Sequence, residues 1–332
     1  MIILGIHDGH NASSCLMKDG KLIALLSEER MTYKKNDMGF PKGAIDECLR
    51  IAGISADEID QVAYSSINLP VHYMRIKREC SFTVSDQIDE QEQYWKPLLY
   101  EGRLNEEYLQ SVFSNPRFQC EQYYCFDGIP FNLTPEENLS HLKRIRCKAL
   151  QDFYGIDESK VRFLQHHDCH SYYAYFGSPF RKDKCLIITA DGGGDGENGT
   201  VAIADNDKIT KISANNCTDL ARIYRYITLL LGMKIGEHEY KVMGLAPYVS
   251  QYEKTKTDKA FKDIFYIKNG MIEYIDRPKD LYFSFKEKLA DCRFDGIAAG
   301  VQQMVEDIGL AWIKDLLEKH DIKRIVFSGG LA

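Results

Sequence analysis

His166 and His170 stand four residues apart in Gln165-His166-His167-Asp168-Cys169-His170. On a helix that spacing puts both imidazoles on one face, where they can share a metal ion. A zinc-peptidase helix would carry a glutamate beside its first histidine; His167 stands there instead, so no helix-borne carboxylate is offered for water activation. Histidines at this spacing also occur on ordinary helix faces, and spacing alone leaves both readings open. Two glycine-containing turns could add chemistry. Gly5-Ile6-His7-Asp8-Gly9-His10-Asn11 would put polar side chains and backbone amides at the open end of a hairpin, either for phosphate or carbonyl recognition or as a plain turn. The turn from Asp191 to Glu197 holds four glycines, which let backbone amides approach a phosphate closely.

The elements that must position these groups follow from local pattern. Residues 2–6, 13–17 and 21–26 read as three strands joined by tight turns, followed by a helix over 42–52 and a strand over 61–65. This order opens a ribonuclease-H-like half-domain. The apolar run 161–164 leads into the histidine helix. A coarse repeat of the pattern then begins, with strands over 185–190, 200–204 and 208–213. Helical periodicity covers 222–233 and 294–319, a further helix starts near Lys241, and a strand over 324–327 delivers Ser328-Gly329-Gly330. The expected fold is α/β, a duplicated ribonuclease-H-like fold of the actin, sugar-kinase and heat-shock ATPase superfamily. Residues 1–180 form its first half, with a mostly helical insertion over about 67–159, and 181–332 form its second.

A hydrophobic fraction of 44% over 332 residues supports one large core or two moderate ones. No apolar stretch reaches membrane-spanning length, and ten cysteines without Cys-x-x-Cys spacing read as reduced thiols, which together predict a cytoplasmic protein with no membrane partner. A net charge of −7 disfavours nucleic acid as a partner.

The motifs also carry a resemblance. Gly9-His10-Asn11-Ala12-Ser13, Glu28-Glu29-Arg30 with Lys35-Asn36 and Gly39-Phe40-Pro41, and His166-His167-x-x-His170 resemble the N-terminal domain of the O-carbamoyltransferases, the family of nodulation protein U and of the cephamycin and tobramycin carbamoyltransferases. Asp191-Gly192-x-Gly194-Asp195-Gly196, Tyr224-x-x-x-Thr228-x-x-Leu231-Gly232, the run from Glu239 to Tyr248 and the closing Ser328-Gly329-Gly330-Leu331-Ala332 agree in order. The resemblance implies a domain similar to the enzyme that forms threonylcarbamoyladenosine in tRNA. Its activity would be transfer of a carbamoyl group from carbamoyl-adenylate, made from carbamoyl phosphate and ATP, to an acceptor hydroxyl. It implies His166, His170 and Asp191 as ligands of a divalent metal, assigned as iron. His10 is the residue expected to activate the acceptor, because imidazole titrates near working pH. Lys35 is expected on the donor's phosphate or carbamoyl group, its other reading being a solvent-facing lysine. Asn11, Gly192, Gly194, Glu239, Lys241, Gly244, Gly329 and Gly330 are the expected nucleotide contacts.

Two departures from the family matter. The chain stops at Ala332, inside a motif that the family continues to an asparagine and to a last metal-ligand aspartate, so a fragment is expected, dependent on an adenylating domain or partner chain. The insertion is rich in Tyr, Phe, Glu and Gln, as in Glu90-Gln91-Glu92-Gln93-Tyr94-Trp95 and Gln119-Cys120-Glu121-Gln122-Tyr123. It is expected either to cover the acceptor side and help select a small molecule or glycan with a free hydroxyl, or to be a surface decoration. The alternatives kept are a non-catalytic module binding nucleotide or a partner, and an ATP-dependent small-molecule kinase. Homodimerisation stays open.

Overall fold

The computed structural model describes residues 1–118 and 123–332; the beginning of the second aromatic and acidic run of the insertion, at 119–122, lies outside the described residues. Contacts divide the chain into two units, Met1–Thr83 with Arg103–His166, and Val84–Gly102 with His167–Ala332.

The first unit is built on strands β1 (Ile2–His7), β2 (Ser13–Lys18), β3 (Lys21–Ser27), β4 (Gln61–Tyr64) and β5 (Val161–Phe163) in the order β3-β2-β1-β4-β5. The first three are antiparallel, and β4 and β5 run parallel to β1. Along β1 the side chains alternate between buried and half-buried, the period of two that the sequence shows. The helix Lys42–Ala52 covers the sheet with Ala44, Ile45, Cys48 and Leu49, and stops at Gly53 in the left-handed region at φ 64°. Its first turn is capped from a distance: the Glu28 carboxylate accepts from Gly43 N at 3.1 Å and Ala44 N at 2.7 Å. The insertion is mostly helical, as expected. Its longest helix, Pro135–Tyr154, is bounded by a Thr134/Glu137 capping box and by Gly155. That helix sends Leu142, Ile145, Ala149 and Leu150 into the same core as Leu4, Ile6 and Val62.

In the second unit, strands β6 (Cys185–Gly194), β7 (Glu197–Asp205), β8 (Lys208–Asn215) and β11 (Ile325–Ser328) lie in the order β11-β6-β7-β8. A separate hairpin joins β9 (Phe265–Lys268) to β10 (Met271–Tyr274). β6 is buried on both faces, which is why it reads as a continuous apolar run rather than an alternating one. Leu186, Ile188 and Ala190 pack on the cluster that includes residues of the helices Leu220–Leu230 and Phe294–His320; Cys185 and Ile187 pack with Tyr175 of the helix His166–Phe176. Each fully buried isoleucine here contributes about 1.5–3 kcal/mol. The two sheets share one strand order as far as each extends, so the duplicated ribonuclease-H-like α/β fold is present.

One turn differs from expectation. The glycine run is no open loop: β6 and β7 stay paired as far as Gly194 opposite Glu197, with an irregularity between Ala190 and Gly194. The turn is only Asp195-Gly196, both at positive φ (51° and 85°), the conformation that a two-residue hairpin of right-handed twist demands. Among the described residues, no helix is long and apolar enough to cross a membrane.

Candidate metal centre

The helix His166–Phe176 begins at His166, the last residue of the first unit, and continues into the second. Residues 185, 187 and 189 of β6 face this helix, so the period of two brings Asp191 to the same side at the strand's end. His166, His170 and Asp191 each present one ligand atom, and these atoms lie within 4.8 Å of one another. His170 Nε2 lies 3.0 Å from Asp191 Oδ2, and its Nδ1 lies 3.2 Å from Ser328 Oγ at the end of β11. The other Asp191 oxygen accepts from Gly192 N at 2.5 Å.

Neighbouring groups hold this arrangement. His167 is fully buried: its Nε2 meets the Glu197 carbonyl at 3.0 Å, so that nitrogen carries the proton, and its Nδ1 accepts from Thr189 Oγ1 at 2.6 Å. Lys211 bridges Asp168 at 2.8 Å and Glu197 at 3.0 Å, tying the helix's exposed side to β7. The Cys169 thiol is pushed up to about 11 by burial and by the Asp168 charge, so it stays protonated and poorly nucleophilic.

Gly329 and Gly330 cross directly over this end of β6. A Cβ on Gly329 would lie 2.2 Å from the Ala190 carbonyl oxygen, and φ there is +110°, so only glycine fits. A Cβ on Gly330 would lie 3.0 Å from Asp191 Oδ1. Gly192 and Gly194 sit in the same hairpin end, Gly192 as the donor to Asp191. Glu239, Lys241 and Gly244 form a different group, on the helix Glu239–Leu245. Glu239 accepts from Gly236 N at 2.7 Å, Lys241 is exposed with Nζ 5.8 Å from the Tyr240 ring centre, and Gly244 opens onto free space.

In the first unit, His10 and Asn11 are exposed at the turn after β1, with Asn11 in the left-handed region at φ 59°. The His10 carbonyl accepts from His7 Nε2 at 2.9 Å, and the His7 Nδ1 accepts from Ser65 Oγ at 2.8 Å. Burial, then the nearby His10 imidazole, lower His7 to about 4, and His166 adds to the effect. The neutral His7 ring thus pins the backbone that displays His10. Asp8 is withdrawn from the turn: it accepts from Arg146 Nε at 2.8 Å, Arg146 Nη2 at 2.7 Å and Tyr124 OH at 2.8 Å. A sugar kinase would need that carboxylate on its phosphate turn. Lys35 is exposed in a turn whose base is fixed by the buried pair of Asp37 and Lys77, 2.9 Å apart.

Sequence reasoning placed His7 in the first turn and Glu28 in a motif without reading their structural roles, and singled out none of Asp37, Lys77 and Arg146. The partners of Asp37 and Asp8 lie 40 and 138 residues away, beyond any local pattern. Only Arg146 left a trace, as a cation among the apolar residues of an otherwise amphipathic helix.

A family model described as Carbamoyltransferase N-terminus matches residues 2–332. An uncharacterized protein of Methanocaldococcus jannaschii is 28% identical over 337 residues, covering 100% of this chain and 50% of that protein. The nodulation protein NolNO of Sinorhizobium fredii is 25% identical, covering 97% of this chain and 41% of its own. Component A of (R)-2-hydroxyglutaryl-CoA dehydratase from Acidaminococcus fermentans aligns with a TM-score of 0.42 at 13% identity, over 100% of this chain and 83% of that one. The chain spans about half the length of the curated relatives it matches.

Proposed function

The chain belongs to the carbamoyltransferase N-terminus family, and from that membership we propose that it transfers a carbamoyl group from carbamoyl-adenylate to an acceptor hydroxyl, assisted by a metal on His166, His170 and Asp191. The observation that carries this reading is the approach of those three ligand atoms to within 4.8 Å. Two imidazoles and a carboxylate suit a divalent ion such as iron(II). The fit extends outward: Ser328 orients His170, and Gly192 N holds the second Asp191 oxygen, as outer partners of metal ligands commonly do. When bound, the ion would act as a Lewis acid toward the donor's oxygens.

The chain's own residues take the remaining work. The acceptor oxygen bonds to the carbamoyl carbon, the carbon–oxygen bond to the phosphate breaks, and AMP leaves with the electron pair. His10 takes the hydroxyl proton, and Lys35 offsets charge on the donor. Asn11, Gly192, Gly194, Gly329 and Gly330 contact the donor's phosphate and adenosine, and Glu239, Lys241 and Gly244 its nucleoside. Carbamoyl-adenylate itself comes from an adenylating domain or partner chain acting on carbamoyl phosphate and ATP. The acceptor is a small molecule or glycan, and the setting is the cytoplasm.

The test supplies carbamoyl-adenylate to the iron-loaded chain with a panel of sugar and aminocyclitol alcohols, reading AMP release and carbamate mass. Transfer that falls in His10→Asn, with fold and metal retained, is the expected result. Release of AMP without any carbamate, under conditions where metal is bound, overturns the reading.

A further inference from the structure

The second unit holds a cavity of about 180 Å³, none of whose lining residues belongs to the metal group or the glycine turns. We infer that it binds an acidic monosaccharide, a single sugar ring carrying one carboxylate or phosphate. The inference is independent of carbamoyl transfer, because its readout is binding.

Size comes first. The volume falls below the range of about 300–1,000 Å³ that drug-sized ligands occupy. That size suits a single ring better than a nucleotide. Trp95, Tyr226, Tyr274 and Phe283 line the cavity with aromatic surface, which suits the C–H faces of a sugar.

Charge supplies the second requirement. Arg222, Arg277 and Lys279 line the cavity against two carboxylates, Asp219 and Asp280. Both acids are served by neutral donors. Asp219, itself buried, accepts from Asn198 Nδ2 at 2.6 Å and Tyr274 OH at 2.9 Å, and Asp280 accepts from Phe283 N at 2.6 Å and from the Tyr100 hydroxyl. The two arginines reach Asp219 only at 3.5 Å, outside the usual 2.7–3.2 Å of an N–H···O bond. Arg277 is steadied by the Asn216 carbonyl at 3.0 Å, and Lys279 Nζ lies 5.0 Å from the centre of the Tyr100 ring. Two guanidiniums and an ammonium therefore keep donors for a ligand anion, and the planar guanidinium matches both carboxylate and phosphate. The lone pairs left on the half-buried Asp280 call for hydroxyl donors, which a sugar has and an aromatic acid lacks.

The chain's two tryptophans separate the signal. Trp95 lines the cavity, whereas Trp312 is buried with Nε1 donating to the Gly270 carbonyl at 2.7 Å. The experiment titrates the chain with sodium glucuronate, glucose 6-phosphate, glucose and sodium benzoate by calorimetry and tryptophan fluorescence. Saturable binding of at least one acidic sugar is expected, with a fluorescence change that disappears in Trp95→Phe. Arg277→Gln, and separately Lys279→Gln at an exposed position, should weaken it about tenfold while leaving glucose unaffected. Which acid binds tells carboxylate from phosphate. Absence of binding by both acids, benzoate binding as tightly as glucuronate, or unchanged affinity in both variants would overturn the inference.

Discussion

Arg146 grips Asp8 through two nitrogens, at 2.7 and 2.8 Å, with the arginine side chain wholly removed from water and the aspartate nearly so. The remaining guanidinium donors reach the Ser66 carbonyl and hydroxyl at 2.9 Å, so the buried charge is satisfied on several sides.

Removing one partner strands the other. Arg146→Met should cost about 3–5 kcal/mol of first-unit stability, read as a lowered urea midpoint, and adding Asp8→Asn should recover part of it. A single variant within about 1 kcal/mol of the parent would show that the pair does not hold the unit together.

His7 ties stability to pH. Between about pH 4 and 6.5 the unfolded chain binds a proton that the folded imidazole lacks, so stability rises with pH through that window and is lost as pH falls through it. The contribution is on the order of 3 kcal/mol above the window. In His7→Gln the difference between urea midpoints at pH 5 and pH 7 should shrink. An unchanged difference would mean that folded His7 titrates normally.

Metal affinity should follow distance from the ligand atoms. His170→Ala and Asp191→Ala are expected to abolish stoichiometric cobalt(II) uptake, followed by visible absorption. Ser328→Ala, which removes only the partner of His170 Nδ1, should weaken uptake by about 10–100-fold. Equal uptake by all three variants and the parent would remove the centre.

Two glycines should answer an added methyl in opposite ways. Gly329→Ala meets the Ala190 oxygen and an unfavourable φ, with a penalty of about 1–3 kcal/mol from backbone conformation alone. Gly244→Ala lies in a helix with open space around the new carbon, and should gain up to about 1 kcal/mol in thermal unfolding. If Gly244 packs against adenine, the same variant must lose nucleotide affinity while gaining stability. A variant that gains stability and binds AMP unchanged would clear Gly244 of that role.

What was legible in the sequence was what local chemistry encodes. Alternation marked β1, the start and stop residues of Lys42–Ala52 sit where turn chemistry places them, and His166 and His170 share a helix face as their spacing implies. The buried pairs were not legible, because a charged residue looks solvent-facing until a distant partner is known. Asp8 looked like a ligand in an exposed turn and is instead part of the core. The glycine run misled for another reason: glycines signal freedom, but here pairing with β7 resumes at Gly194 after an irregularity and leaves only Asp195-Gly196 as the turn.

The insertion supplies both buried cations, Lys77 to Asp37 and Arg146 to Asp8. It is therefore not an interchangeable module. A chimera that grafts a relative's insertion onto this sheet would inherit two orphaned carboxylates beneath the turns bearing His10 and Lys35 unless the lysine and the arginine travel with it. Shuffling between relatives should accordingly succeed at seams that keep each acid with its own base.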